Sequence, residues 1–335
     1  MVNPDRVARL IDDTVRILEL DLSGVTVLTE AATGPYSVTP VIAFKAGAKR
    51  VLALTADSRY GSAETAISQT RALESFCDVS RATEIHVQRD VGLFADADLV
   101  TNLGFVRPID AAAVARVRPG SVVSLMSEAW EIRAGDIDLS ACRHRGVQVL
   151  ATNEDFQPLD VFAYSGWLCV KLLLEAGLEV HRSRVLIVSS DKFGRVIERR
   201  LAMNGVSVVL AQRLDARSLN AADAVVIADY TRDDEIIGEE GDLTAGELAR
   251  VAPEVTVIQF AGRIDVAGLR SLRVRVFPGE DIPARRMART LAHLGARPVV
   301  ELHAAGLKVG EMALRGTLAT SRFAALAQHL LNNTE

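Results

Sequence analysis

The sequence has few cysteines and no excess of basic residues. Its three cysteines, Cys77, Cys142 and Cys169, show no C-x-x-C spacing and have no pair of histidines beside them. A disulfide framework or a structural zinc site is therefore not expected, and no metal is predicted. Lys and Arg total 38 against 43 Asp and Glu, which gives a net charge of -5. Nucleic-acid phosphates attract proteins with clustered positive charge, so this balance argues against a nucleic-acid partner.

Long apolar runs are also missing. No run reaches the roughly 20 residues that a membrane-spanning helix needs, and the first residues, MVNPDRVARL, contain no apolar segment of the kind found in secretory signals. The sequence therefore predicts a cytoplasmic protein that does not enter a membrane.

The chain does contain enough apolar residues for a large core. Apolar residues make up 49% of the 335 residues, and this length exceeds the size at which one core keeps growing, so two domains are expected. Short β-branched runs alternate with Ala- and Arg-rich helical patterns, as in parallel sheets covered on both faces. Twelve strands are predicted, near residues 26–30, 50–55, 84–88, 98–102, 121–126, 147–152, 184–189, 206–211, 224–228, 255–260, 274–277 and 299–302.

These patterns predict an α/β protein with two Rossmann-like parallel-sheet domains, one flavodoxin-like and one of the dinucleotide-binding type. A long apolar helix over residues 158–177 would carry the chain from one domain to the other, and a last helix over residues 307–331 would return it. The predicted domains are 1–155 plus 307–335, and 156–306, with a cleft between them.

Two segments in a fixed order resemble one family. Residues 130–153, WEIRAGDIDLSACRHRGVQVLATN, are similar to the segment that ends the substrate domain of D-isomer-specific 2-hydroxyacid dehydrogenases. Residues 299–310, VVELHAAGLKVG, resemble the catalytic histidine segment of the same family. The resemblance implies an NAD(P)-dependent oxidoreductase acting on a small polar metabolite in the cleft, and a homodimer.

The resemblance also implies three catalytic residues. His303 would be the proton donor, and Glu280, in VRVFPGEDIP, would raise the pKa of that histidine and fix its tautomer. Arg263, in VTVIQFAGRID, would clamp a substrate carboxylate through paired hydrogen bonds. Simpler interpretations remain open, because Glu280 follows Pro278-Gly279 as a turn residue would and an isolated histidine is often a core residue.

The predicted cofactor turn departs from the family. Dinucleotide-binding turns use G-x-G-x-x-G, whereas this chain has Ser189, Asp191 and Gly194 at the glycine positions, with Ser190 and Phe193 between them. The next strand ends at Gln212 and Arg213, where an NAD enzyme would show an acid. The predicted cofactor is NADP or NAD, and Arg213 would favour NADP. Loss of the cofactor with retention of the fold is the alternative.

Polar residues are predicted to meet at the strand ends of the first half, where ligands of α/β sheets bind. They suit either the oxidoreductase or a non-redox transferase, lyase or hydrolase that binds a nucleoside-like ligand. A non-catalytic metabolite-binding protein is a third possibility. Local salt bridges and helix caps would explain some of these residues without a ligand. The predicted substrate-binding residues are Glu30, Tyr36, Asp57, Asn102, Arg107, Glu128, Trp130 and Asn153.

Overall fold

The computed structural model describes residues 3–219 and 221–330, and the chain divides into two compact units. Unit 1 comprises Met1–Val161 and Gly295–Glu335, and unit 2 comprises Phe162–Leu294. Unit 1 is therefore discontinuous in sequence. Within the described ranges, no helix is long and apolar enough to span a membrane.

The strands of the described residues are numbered in chain order. They are short, and most are buried apolar runs, as expected for parallel sheets covered on both faces. The strands are β1 Thr26–Glu30, β2 Arg50–Leu54, β3 Glu84–His86, β4 Leu99–Thr101, β5 Val122–Ser124, β6 Gln148–Thr152, β7 Arg184–Val188, β8 Ser207–Ala211, β9 Ala224–Ala228, β10 Glu235–Ile237, β11 Thr256–Ala261, β12 Arg263–Ile264, β13 Arg275–Phe277 and β14 Ala327–His329.

The α-helices begin with recognisable caps at several positions. Ser62, Asp110 and Asp138 each accept a main-chain N–H three residues later and so fix the starts of three helices. The helices are α1 Pro4–Ile17, α2 Thr39–Lys45, α3 Ala63–Phe76, α4 Ala111–Arg116, α5 Leu139–Arg145, α6 Tyr164–Glu175, α7 Lys192–Met203, α8 Ala245–Val251, α9 Val266–Ser271 and α10 Ala296–Leu314.

Unit 1 contains a seven-stranded sheet in the order β14-β6-β5-β4-β1-β2-β3. Strands β1 to β6 are parallel, and β14 pairs antiparallel with β6. On one side of this sheet, Leu28, Val100, Val123 and Val149 of its strands belong to a cluster of buried apolar side chains. The carboxyl ends of six strands therefore lie along one edge.

Unit 2 contains a five-stranded parallel sheet in the order β13-β11-β9-β7-β8, together with a separate parallel pair of β10 and β12. Its core includes Leu186, Val225 and Val257 from the sheet and Leu248 and Leu269 from two helices. The predicted α/β class, with two parallel sheets, is confirmed.

The end of the chain differs from the prediction. Residues 299–302 are not a strand, and the α-helix predicted over residues 307–331 ends at Leu314. Instead α10 runs through Ala296–Leu314 in unit 1, and the chain then forms a 3-10 turn and β14. The last residue of the predicted helix, Leu331, lies outside the described residues. The connecting helix is also shorter than the predicted 158–177, since α6 covers Tyr164–Glu175.

Burial on nearly all sides explains this error. Most of the side chains from Pro298 to Met312 are buried, and a short buried run such as VVEL has no periodicity that separates strand from helix. Gly306 and Gly310 allow α10 to lie close to the sheet, because a Cβ at either position would overlap Met126 Sδ or Leu99 Cδ1.

Candidate functional site

The seven-stranded sheet of unit 1 and the five-stranded sheet of unit 2 each have a point at which the strand order reverses. In unit 1 the chain passes from β1 to β2 on one side, while β4 lies on the other side of β1; in unit 2, β8 and β9 flank β7 in the same way. Ligands of open α/β sheets bind beyond the carboxyl ends of the strands at such points. We call the residues after β1 and β4 (30–34 and 102–107) the β1–β4 edge, and those after β7 and β9 (189–194 and 229–232) the β7–β9 edge.

A buried glutamate lies at the β1–β4 edge. Glu30 is the last residue of β1 and is 5% exposed. Its Oε2 accepts the main-chain N–H of Phe105 at 3.0 Å, in the loop after β4. Burial raises the pKa of this carboxyl, and the N–H groups of Phe105 and Gly104 and the charge of Arg107 oppose that shift only in part. Glu30 therefore holds a proton more readily than an ordinary glutamate.

Arg107, whose charge acts on this carboxyl, is incompletely paired. Its Nη1 donates to Asp136 Oδ2 at 2.9 Å, and the same carboxylate accepts from Arg133 Nε at 3.0 Å. The Nε of Arg107 is buried and has no hydrogen-bond partner within residues 3–219 and 221–330. Two guanidinium groups therefore share one carboxylate.

Other buried polar atoms without a partner lie on the same sheet edge. Among the described residues, Thr55 Oγ1, His86 Nε2, Arg107 Nε and Gln259 Oε1 are the buried side-chain atoms that make no hydrogen bond. The first three follow or close β2, β3 and β4 of unit 1. An unsatisfied buried polar group costs about 1–3 kcal/mol, and proteins keep such groups rarely and often for function.

Three further predicted residues of unit 1 hold the local chain. Asn102 Oδ1 accepts the main-chain N–H of Met126 at 2.8 Å, and Asp57 Oδ1 accepts that of Ala63 at 2.9 Å. Asn153 Nδ2 donates to the carbonyl of Ala325 at 2.9 Å. Each of these three side chains therefore has a structural role in holding the main chain. That they also contact a ligand stays a prediction.

The loop after β5 is similarly self-paired. Glu128 is buried, and its carboxylate accepts the indole N–H of Trp130 at 2.5 Å and the main-chain N–H of Glu154 at 3.1 Å. The pairing is intramolecular, so the role of Glu128 and Trp130 in binding a substrate also stays a prediction.

His303 occupies a position unlike that of an exposed catalytic acid. It lies in the middle of α10 and is 2% exposed. Its Nδ1 is 2.6 Å from the hydroxyl oxygen of Thr39, and the ring of Tyr36 lies 5.8 Å from its ring centre. Burial lowers the pKa of His303 to about 3, which disfavours the protonated imidazolium that a histidine general acid would use.

The other two predicted catalytic residues belong to unit 2. Both carboxylate oxygens of Glu280 accept from Arg289, at 2.6 and 2.9 Å. Arg263 Nη2 donates to Glu235 at 3.2 Å. Each of these side chains therefore has an ion-pair partner within its own unit, and the roles assigned to Glu280 and Arg263 stay predictions.

The predicted cofactor turn is filled by its own side chains. Asp191 Oδ1 accepts the main-chain N–H of Phe193 at 2.9 Å, and Ser189 Oγ accepts that of Gly194 at 3.1 Å. A diphosphate at a helix start needs these N–H groups. The ring of Phe193 is buried and stacks on Phe162, with 4.9 Å between ring centres. The turn therefore does not fit a dinucleotide diphosphate.

The end of β8 is more open. Gln212 and Arg213 are both exposed, and the Arg213 side chain is 74% exposed although its Nη2 donates to Asp242 at 2.5 Å. Asp242 also accepts from Arg232 at 2.9 Å. A cation thus lies after the second strand of unit 2, as the prediction of NADP requires, but it is already paired.

Two residues that define these environments were not predicted. Thr39 is the hydrogen-bond partner of His303, and nothing in the sequence indicates it. Asp229 is fully buried at the β7–β9 edge. It directly follows the predicted strand 224–228, so the rule that ligand sites lie beyond strand ends could have identified it.

Comparison with known proteins relates the chain to others by fold. No protein-family model matches it, and no curated protein matches it significantly. Among solved structures it is similar to a dipicolinate synthase chain from Bacillus halodurans, with 12% identity, 90% of this chain and 100% of that chain covered, and a TM-score of 0.51. A D-2-hydroxyisocaproate dehydrogenase matches with 11% identity, 88% and 98% covered, and a TM-score of 0.50. The TT0316 protein from Thermus thermophilus matches with 13% identity, 87% and 97% covered, and a TM-score of 0.50.

These matches show a shared fold. The resemblance to D-isomer-specific 2-hydroxyacid dehydrogenases is thus confirmed at the level of the fold. Activity and substrate do not follow from fold alone.

Proposed function

We propose that this protein is an enzyme that binds a small oxygen-rich metabolite at the β1–β4 edge and carries out non-redox acid–base chemistry there. The observation that supports this most directly is the buried Nε of Arg107, which has no hydrogen-bond partner among the described residues. The charge of the same arginine acts on the buried carboxyl of Glu30. A polar group left unsatisfied in this way is favoured by function rather than by packing.

The two side chains define the chemistry of the ligand. The guanidinium N–H of Arg107 is a donor, and the Glu30 carboxyl, whose pKa burial raises, is also a donor when protonated. Two donors suit an acceptor, such as the carboxylate or carbonyl of a hydroxy or keto acid. Because Arg107 Nε is covered, the loop of residues 102–107 has to shift before a ligand can reach it.

Glu30 would act as the general acid. It would transfer its proton to an oxygen on which negative charge develops, and as a carboxylate it would then take up a proton in a second step. Such proton transfers serve lyase, hydrolase or transferase reactions, and none of them requires a dinucleotide.

Thermal unfolding with a panel of small hydroxy and keto carboxylates tests this proposal. At least one compound should raise the melting temperature of the wild type, and Arg107→Leu should abolish that shift. Arg118→Leu is the matched control, because Arg118 pairs with Asp98 elsewhere in unit 1. A wild type that responds to no compound, or an Arg107→Leu variant that responds normally, contradicts the proposal.

A second candidate is an NAD(P)-dependent oxidoreductase acting on a small polar metabolite. The shared fold with a dehydrogenase and the exposed guanidinium of Arg213 favour it, and Arg213 would select NADP through its 2'-phosphate. Calorimetric titration with NAD, NADH, NADP and NADPH tests it. A micromolar dissociation constant, which corresponds to a binding free energy of about -8 kcal/mol, would support this candidate.

The cytoplasmic location and the homodimer stay predictions. Light scattering in solution tests the homodimer.

A further inference from the structure

The two turns of the β7–β9 edge are joined by side chains that cross between them. Strands β7 and β9 are hydrogen-bonded neighbours, and the chain leaves them at the same edge of the sheet. Asp191 follows β7, and Asp229 follows β9. This is the position at which an open α/β sheet would receive a ligand.

The bonds between the turns are reciprocal. Asp191 Oδ2, from the turn after β7, accepts the main-chain N–H of Tyr230 at 2.6 Å. Asp229 Oδ2, from the turn after β9, accepts the main-chain N–H of Ser190 at 2.8 Å and its hydroxyl at 2.7 Å. Each carboxylate thus accepts hydrogen bonds from the other turn.

The remaining oxygens of both carboxylates are also used. Asp191 Oδ1 caps α7 through Phe193, and Asp229 Oδ1 accepts from the hydroxyl of Thr231 at 3.0 Å and the main-chain N–H of Arg232 at 3.3 Å. Neither Asp191 nor Asp229 appears among the buried groups that lack a partner in the described chain. The donors that an anion would need are therefore taken up by carboxylates.

We propose that Asp191 and Asp229 form an aspartate clasp that closes the β7–β9 edge of unit 2 and excludes a dinucleotide diphosphate. A diphosphate would have to displace both carboxylates from main-chain N–H groups. It would also bring negative charge next to Asp229, which is fully buried, and like charges in a buried site repel strongly. The clasp concerns unit 2 alone and does not rest on the function proposed for Glu30 and Arg107.

Amide hydrogen exchange, read by NMR or mass spectrometry, tests the clasp. In the wild type the amides of Ser190 and Tyr230 are expected to be protected. Asp191→Gly should speed exchange at Tyr230 by about tenfold or more, because that amide loses its acceptor. Asp265→Gly is the matched control, since Asp265 caps α9 in the same unit by accepting the main-chain N–H of Gly268 at 2.8 Å. The control should leave exchange at Tyr230 unchanged.

Binding measurements supply the second test. The wild type should show no calorimetric binding of NADPH or inorganic pyrophosphate at millimolar concentration, and the double variant Asp191→Gly, Asp229→Ser should bind pyrophosphate at least about tenfold more tightly. If the double variant does not fold, Asp191→Asn replaces it in the test. Asparagine keeps the shape of the aspartate side chain but only one acceptor oxygen, so amide hydrogen exchange at Tyr230 or Phe193 should still become faster. Micromolar binding of NADPH by the wild type with protection of Ser190 and Phe193, or unchanged exchange in both Asp191 variants, would overturn the clasp.

Discussion

The two sheet edges place buried carboxyl groups at equivalent points of the topology, but the polar groups around these carboxyl groups are hydrogen-bonded to different extents. At the β1–β4 edge, Glu30 accepts a hydrogen bond from the loop after β4, while Arg107 Nε in the same loop has no partner in the part of the chain that the structure describes. At the β7–β9 edge, Asp191 and Asp229 accept from both turns. A carboxylate at such a point can therefore either join two strands fully or leave polar groups available to a ligand. The sequence alone does not separate the two cases, because both show only an acid near a strand end.

The largest effect is expected from removing the acid that joins the turns of unit 2. Asp229→Ala leaves the donors of Ser190, Thr231 and Arg232 without an acceptor in a fully buried position. We expect the free energy of unfolding to fall by about 4 kcal/mol, since each lost bond to a charged group costs about 1.5–3 kcal/mol and partial solvation offsets some of it. Urea denaturation measures this.

A simple helix cap gives the reference for that measurement. Asp265→Ala removes the cap of α9 in the same unit and should cost about 1 kcal/mol. If Asp229→Ala costs no more than Asp265→Ala, the buried carboxylate does not hold the β7–β9 edge together, and the contrast between the two edges fails.

The next effect is a pH dependence that originates in unit 1. The pKa of His303 is about 3 in the folded state and about 6.5 in the unfolded state. As pH falls below 6.5 the unfolded chain gains a proton that folded His303 does not, so stability falls. The loss is about 1.4 kcal/mol per pH unit, or about 2 kcal/mol between pH 7 and pH 5.

Comparing variants isolates this contribution. His303→Gln keeps a hydrogen-bonding group for Thr39 and should flatten the pH dependence by about 2 kcal/mol over that range. His144→Gln is the control variant, because His144 is an exposed histidine of the same unit. An unchanged slope in His303→Gln would mean that this residue titrates in the folded protein, and its prediction as a proton donor would regain support.

Much of the fold could be predicted because strands in parallel sheets are short buried runs. Eleven of the twelve predicted strands correspond to strands in the structure. The exception, residues 299–302, lies in a helix that is buried on nearly all sides, where hydrophobic periodicity gives no signal. The placement of Gly306 and Gly310 against Met126 and Leu99 is a tertiary contact that no local pattern encodes.

The candidate site was less predictable, for a physical reason. Residue type identified Glu30 and Arg107, but whether each is satisfied depends on partners far away in sequence, such as Phe105 for Glu30. The same holds for His303, whose partner Thr39 is 264 residues away. A family motif could place a histidine in the sequence, but it could not show that α10 buries that side chain.

A smaller effect distinguishes the two arginines that share Asp136. Arg107 and Arg133 donate to the same carboxylate oxygen at nearly equal distances. Arg107→Leu also removes the Nε that has no partner among the described residues. It should therefore lower the free energy of unfolding by about 1 kcal/mol or less, and by less than Arg133→Leu does. Urea denaturation of both variants measures the difference. A larger loss for Arg107→Leu would show that its guanidinium stabilises the fold and is not reserved for a ligand.

The smallest effect on stability is expected for Glu30→Gln. This variant removes an ionisable carboxyl at the β1–β4 edge, as Asp229→Ala does at the β7–β9 edge. Burial raises the pKa of Glu30 above its unfolded value, so ionisation costs stability as pH rises through that interval, and a neutral amide avoids this cost. The glutamine retains an acceptor for the N–H of Phe105. At pH 7 the free energy of unfolding should therefore stay within about 1 kcal/mol of the wild type, and the difference should move in favour of the variant as pH increases. Urea denaturation at pH 5 and pH 8 measures the trend. A loss that grows with pH would mean that the ionised carboxylate stabilises unit 1, as Asp229 is proposed to stabilise unit 2, and the two edges would then be alike.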